Sequence, residues 1–314
     1  RKVGAYAIAA GVFGGLLGWA ATRSGVENLE GVVIWSALFS AMLRYATPLI
    51  FASIGGMFSE RSGVVNIGLE GMMILGTWFG AWGAINYGAW VGLLTGLLGG
   101  ALGGLLHGVA TVHFGVDHII SGVAINILAP GVTRFLSSEV FADYPGGSIT
   151  QSPRVPGVGS FTFPVVAGGE VGGWSSPDVL GWLGRKDWFF ASDVANLGRG
   201  LVTQVSYVTI IALALVPIST WVLWRTRFGL RLRICGERPE AGESQGVDVY
   251  RYKYIGVIIS GAFAGLAGAF IASPELSGIY LEGQTTGRGY IGLAALIFGN
   301  WIPVGVLGGA LLFG

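Results

Sequence analysis

Apolar runs of membrane-spanning length, separated by short polar links, set the pattern of this chain. Residues 3–21 are uncharged, 32–58 are apolar but interrupted by Arg44 and Pro48, and 64–85, 89–114, 119–135, 201–223 and 254–271 follow. A spanning helix needs roughly 17 to 25 residues, so each run predicts a transmembrane helix. Proline inside a span removes a backbone hydrogen bond, and residues 32–58 are expected to form a helix broken at Pro48. Residues 289–299 are apolar but too short to cross a core of about 30 Å, which predicts a half-helix.

Within residues 64–85 the only formal charge is Glu70. If that run is helical from its start, Asn66, Glu70, Met73 and Thr77 recur at spacings of four, three and four and share one face. An ionised carboxylate at bilayer depth costs at least about 2.5 kcal/mol, so it is expected to face a protein interior or a wet cavity. Residues 89–114 carry Gly92, Gly96, Gly100, Gly104 and Gly108 at intervals of four, a small-residue face for close helix contact, and Gly261 and Gly265 suggest a second one. Composition agrees with an integral membrane protein, with 52% hydrophobic and 11% charged residues where a soluble domain has about 25% charged. The fold class expected is all-α and polytopic, roughly 8 to 10 spans with broken and half helices, in a single domain over residues 1–314.

Charge orients it. Residues 225–253 hold seven of the eighteen Lys and Arg residues, whereas the Pro-rich loop 137–200, with a Trp-bearing segment at 177–190 expected to lie at the interface, holds four in more than twice the length. The bias places 225–253 in the cytoplasm and 137–200 outside. The chain opens without Met and stops at Gly314 within an apolar run, so span counts are expected to be lower bounds, and residues 3–21 read as a retained first helix, not a signal peptide. A net charge of +1 offers no field for nucleic acid, and the single Cys235 excludes an internal disulfide framework.

Glu70 with Asn66 is the first candidate for a solute pathway, the alternative being a structural carboxylate paired with Arg61, Arg44 or Arg288. Glu60, Arg61 and Ser62 precede the helix; if the chain is unwound there, backbone amides are free to meet a solute's oxygens. Asn126 and Arg288 are weaker lining candidates. His107, His113 and His118 lack metal-site spacing and are read as cytoplasmic-end residues. The segment from Thr285, TTGRGYIGLAAL, loosely echoes SGVVNIGLEGMM from Ser62, as corresponding interrupted segments of an internal repeat do. A phosphate loop needs Gly-Lys followed by Ser or Thr, and Lys2, Lys186 and Lys253 follow Arg, Arg and Tyr, so the chain is not expected to hydrolyse ATP. Pro239 is placed to open a short cytoplasmic helix through Gln245, with Gly246 ending it.

Three stretches carry a family resemblance. FGLRLRICGERPEAGESQGV, ATPLIFASIGGMFSERSGVVNIGLEGMMILG and RGYIGLAALIFGNWIPVG resemble, in that family's order, segments of permease subunits of bacterial ABC importers for simple sugars, nucleosides and branched-chain amino acids. The stretch from Ala46 is similar to the signature of the nucleoside-type branch. The resemblance implies a type II ABC importer-like fold in the bacterial inner membrane. It also implies a second permease, a cytoplasmic ATPase that binds the ATP and Mg while this chain holds no cofactor, and an extracytoplasmic substrate-binding lipoprotein. By position, Gly236, Glu237, Arg238, Pro239, Glu240 and Ala241 would form the ATPase coupling segment, with Arg238 and Gly242 departing from the usual Asn and Ala. Asn before Pro caps a helix, and losing it costs about 0.5 to 2 kcal/mol. The function expected is ATP-driven import, most of all of nucleosides. Simple sugars, an ion-coupled secondary transporter with Glu70 as carrier, and a membrane-embedded enzyme are the alternatives.

Overall fold

The computed structural model describes residues 11–12, 15, 35–171, 174–186 and 191–314; the expected first helix at 3–21 falls largely outside the described residues. In chain order the long elements are α1 (Trp35–Arg61), α2 (Leu69–Tyr87), α3 (Ala89–Gly108, continued by a π turn at Val109–His113) and α4 (His118–Val140). After them come the short α5 (Val179–Gly184) and α6 (Ala191–Val202), then the long α7 (Tyr207–Arg225). Arg227–Glu237 forms α8, Pro239–Ser244 α9, Val249–Ala272 α10, Arg288–Phe298 α11 and Pro303–Phe313 α12. Among the described residues, five helices are long and apolar enough to cross a membrane: α1, α3, α4, α7 and α10.

The chain's contacts fall into two units, Arg1–Ser40 with Thr162–Thr203, and Ala41–Phe161 with Gln204–Gly314. In the first, Asp178 caps α5 by accepting from Gly181 N at 2.7 Å and pairs with Arg199 of α6 at 2.8 Å. Of the Trp-bearing segment 177–190, residues 187–190 lie outside the described residues, and the short helix expected there is the six-residue α5; α6 beyond it is a helix the sequence pattern did not suggest. Two-residue strands β1 (Ser160–Phe161) and β4 (Val205–Ser206) pair antiparallel where the chain leaves for residues 162–203 and returns; β2 (Glu170–Val171) and β3 (Trp174–Ser175) pair within that excursion.

The second unit is built around α2, which is buried along most of its length. Its lining is glycine. A Cβ at Gly100 would land on the Gly261 carbonyl and Gly265 Cα, and one at Gly76 on Gly265, so α2, α3 and α10 touch backbone to backbone. The four-residue glycine spacing is thus the packing face it was read as. Above this core, residues 150–155 lie along residues 278–282 through Val155 N to Gly278 O (2.8 Å), Ser152 N to Tyr280 O (3.0 Å) and Glu282 N to Thr150 O (2.9 Å).

Two expectations are corrected. α1 runs unbroken through Pro48, where Thr47 Oγ1 donates to Leu43 O at 2.7 Å and meets Thr209 Oγ1 of α7 at 2.9 Å. The break falls instead at residues 62–68, so Asn66 is not on a helix and does not share a helical face with Glu70. Non-helical backbone is tolerated at membrane depth only where protein satisfies its polar groups, and here four side chains from three elements do so. Ser59 Oγ donates to Val64 O (2.7 Å), Val65 N donates to His118 Nδ1 (3.3 Å), His107 Nε2 pairs with Val65 O (3.1 Å), and Asn126 Nδ2 donates to Ile67 O (3.0 Å). The histidines read as plain end residues include two that staple this break.

Candidate functional site

The short α11 begins where its amides need an acceptor. The first N–H groups of any helix lack intrahelical partners, and α11 opens after Gly287 in the left-handed region (φ 82°) without a side-chain cap of its own. Glu70, 217 residues earlier, supplies the oxygens: Oε1 accepts from Thr285 Oγ1 at 2.6 Å and Gly287 N at 2.9 Å, and Oε2 from Gly289 N at 2.6 Å. A carboxylate facing a helix N-terminus also meets the positive end of its dipole. Gly289 lies against Glu70 so closely that a Cβ would sit 2.5 Å from the Glu70 Cα. Glu70 is buried (7% exposed) and its oxygens are occupied by a hydroxyl and two amides. Neither Arg61, Arg44 nor Arg288 pairs with it, which corrects the structural alternative read from the sequence: the counter-group is a helix start, not a cation.

Asn126 of α4 joins the same junction. Its Oδ1 accepts from Gly71 N (2.7 Å), in the first turn of α2, and its Nδ2 donates to Ile67 O and to Tyr290 Oη of α11 (2.9 Å). Asn66, fully buried, donates to Ser260 Oγ at 2.9 Å and Met72 Sδ at 3.3 Å, while its Oδ1 has no partner. Arg288 turns away from Glu70. It donates to Gln284 O and Thr286 Oγ1, both at 2.9 Å, and stacks 5.9 Å from the Tyr45 ring. The two echoing segments, from Ser62 and from Thr285, therefore meet at Glu70.

Glu60, Arg61 and Ser62 lie away from that junction, at the Arg-rich end of the molecule. Ser62 is buried and donates to Ser59 O at 2.7 Å. Glu60 accepts from the Trp301 indole, and Arg61 donates to Trp301 O at 3.0 Å, stacks over Trp224 at 5.5 Å and stands 4.0 Å from Glu237. Trp301 and Asn300, both at φ 53°, turn α11 into α12. Gly236 packs on the backbone just past α1: a Cβ there would be 2.8 Å from Gly63 N. The coupling candidates thus split. Gly236 and Glu237 finish α8 and touch the end of α1, whereas Glu240 and Ala241 stand exposed on α9, which Pro239 opens. Arg238 makes no side-chain cap. Gly242 is buried at a point where a Cβ would come 3.0 Å from Ile234, so the missing methyl lets α9 lie flat on α8. Cys235 is buried and its thiol is pushed up by that burial, an unreactive small residue.

Sequence reasoning missed Thr285, Gly287 and Gly289 as the partners of Glu70, and Trp224 and Trp301 beside Arg61. A legible signal existed for the first group: a Gly-rich helix start without Ser, Thr, Asp or Asn at its N-cap requires an acceptor from elsewhere. Among the described residues no cluster of His, Cys, Asp or Glu could hold a metal.

Two substitutions probe this arrangement. Glu70→Ala orphans two amides and a hydroxyl, each hydrogen bond to a charge contributing about 1.5 to 3 kcal/mol; amide exchange at Gly287 and Gly289 should accelerate by at least about a hundredfold, and unchanged protection would dismiss the cap. Arg238→Asn should restore a cap to α9 and slow exchange over residues 239–245, by the factor that about 0.5 to 2 kcal/mol implies.

Comparison with known proteins adds the lineage. A family model described as branched-chain amino acid transport system / permease component matches residues 38–314. Guanosine ABC transporter permease protein NupQ of Bacillus subtilis is 39% identical over 91% of this chain and 82% of its own. Nucleoside ABC transporter permease protein NupC of Lactococcus lactis is 39% identical over 87% and 78%, and the putative glucose ABC transporter permease protein TsgC13 of Haloferax volcanii is 33% identical over 89% and 75%. No solved structure matches. With the match running from residue 38 to the last residue, the chain belongs to the permease-component family of branched-chain amino acid transport systems.

Proposed function

We propose that this multi-pass permease is the membrane half of an ATP-driven nucleoside importer in the bacterial inner membrane. The observation that carries the substrate is the 39% identity, over about nine-tenths of the chain, to two permeases named for guanosine and nucleosides. The rest is supplied by partners: a second permease, a cytoplasmic ATPase that binds ATP and Mg, and an extracytoplasmic binding lipoprotein. The chain itself does not catalyse ATP hydrolysis.

The geometry supports a mechanical linkage for that work. Force applied at the exposed face of α9 reaches α8, whose end is held to α1 by Arg61–Glu237 and by the Gly63–Gly236 contact. From Arg61 it passes to Trp301 and so to the α11–α12 hairpin, whose other end is pinned at Glu70. Rocking the hairpin about these two anchors would open and close a route beside the junction of Glu70, Asn126 and Tyr290 and the neighbouring Arg288, as half-helices do in transporters with midplane sites. A sugar is the second reading, favoured by the 33% identity to a glucose-type permease. An ion-carrying role for Glu70 fits less well, because three donors already occupy its oxygens.

Uptake by the assembled complex in proteoliposomes tests this. Nucleoside uptake should persist with ATP present after the proton gradient and membrane potential are collapsed, and Glu237→Lys with Glu240→Lys should release the ATPase from the complex. Uptake that fails on collapse of the gradients would identify a secondary transporter instead.

A further inference from the structure

Most surface exposed at membrane depth is apolar, as on α3 (Leu94, Leu98, Leu102) and α4 (Ile127, Leu128). One strip of the second unit is not. Tyr290, beside α11's start, is 48% exposed and its hydroxyl meets Asn126 at a hydrogen bond open to the surface. Arg288 follows, over the exposed Tyr45 ring. Arg134 of α4 is exposed and pairs with Glu282 at 3.4 Å, and Arg44 of α1 is exposed next to Tyr45. At 1.5 Å per residue, Asn126 stands about 12 Å and Arg134 about 24 Å along α4 from His118, and Arg44 about 25 Å along α1 from Arg61. The strip therefore climbs from mid-depth to the end of the molecule opposite the Arg-rich loop.

Three guanidiniums and a carboxylate on one such strip are too costly to leave against hydrocarbon, where charged side chains instead face an interior or a water-filled cavity. Among the described residues none buries Arg44, Tyr45, Arg134 or Tyr290. Glu70 directs its carboxylate into α11, so among the described residues the strip presents Arg44, Arg134 and Arg288 with the carboxylate of Glu282. Its remaining groups are two tyrosine faces.

We infer that this strip is a wetted ramp forming one wall of the solute's approach, where Tyr45 and Tyr290 take the face of a planar ring, Arg288 donates to its carbonyl oxygens, and cations are turned away. The placement rests on the permease reading above; the ring-bearing solute rests on the nucleoside reading as well. Guanidinium groups supply donors only and suit carbonyl acceptors, and tyrosine offers a flat apolar face with a polar tip. A nucleobase has both a planar π face and carbonyl acceptors, whereas a sugar in its ring form has hydroxyls but neither a planar π face nor a carbonyl.

Thiol labelling separates these claims. The chain has one cysteine, so Cys235→Ser gives a blank background, into which Tyr45→Cys, Tyr290→Cys and the control Leu102→Cys are placed singly. Each variant is assembled with its partners in liposomes, and copurification of the ATPase reports folding. Membrane-impermeant methanethiosulfonates should label both tyrosine sites, and Tyr45→Cys carries the test if Tyr290→Cys fails to assemble. The anionic sulfonatoethyl reagent should react at least about threefold faster than the cationic trimethylammonioethyl reagent, and adding Arg288→Gln should shrink that ratio. Leu102→Cys should stay unlabelled. Failure of both sites to label with and without ATP would overturn the ramp, showing the strip covered by lipid or protein, and so would faster labelling by the cation. A saturating nucleoside with its binding protein should slow labelling; protection by glucose and not by nucleoside would uphold the ramp while overturning the ring-bearing solute.

Discussion

A carboxylate held between two helix starts is the constraint on which the rest of this molecule depends. Glu70 stands in the first turn of α2, and its oxygens accept from Thr285, Gly287 and Gly289 at the head of α11. Buried charge is tolerated only when its partners replace water, and here the partners are donors that would otherwise be unpaired themselves. Each side solves the other's problem. The consequence is geometric: a half-helix that cannot cross the membrane is given a fixed starting point inside the protein, and the chain beyond it can return through Trp301 to the end of α1.

That fixed point needs a stiff base, and glycine provides it. Where α2, α3 and α10 meet, backbone lies on backbone at Gly76, Gly100, Gly261 and Gly265, leaving no long side chains to repack. Lipid tails give apolar helices no hydrophobic reason to associate, so such close van der Waals contact is the principal adhesive available. Around this base the chain is locally irregular where it is polar: residues 62–68 unwind, and His107, His118, Ser59 and Asn126 take up the backbone groups that unwinding frees. Rigid core and tethered break adjoin at Glu70, an arrangement suited to motion of α11 and α12 about defined anchors.

The five spans α1, α3, α4, α7 and α10, the half-helix expected at 289–299 and found at 288–298, and the glycine face were legible in the sequence because each follows from length or spacing alone, and the short α9 because Pro239 and Gly246 mark its ends. The position of the helix break was not. Apolar content across residues 64–69 reads as helix, and only distant side chains, supplied by α3 and α4, make extended backbone tolerable there. Pro48 misled in the opposite sense, since a kink-prone residue sits in a helix that runs on unbroken. Glu70 is legible as a charge that must be answered, but the partners its sequence context offers are arginines, whereas its actual partners are amides and a hydroxyl. Backbone amides carry no letter in a sequence, so a counter-group made of N–H bonds is visible only through the glycines that let it approach. The short α6 and α8 were missed because amphipathic helices outside the spans lack the long apolar signal.

A double-mutant cycle between Glu70 and Thr285 tests the central claim most directly. Unfolding of the detergent-solubilised permease would be followed for Glu70→Ala, Thr285→Val and the pair. A charge-assisted bond buried at 2.6 Å predicts a coupling energy of about 1.5 kcal/mol or more. Losses that simply add, within about 0.3 to 0.5 kcal/mol, would mean that Glu70 does not hold the head of α11.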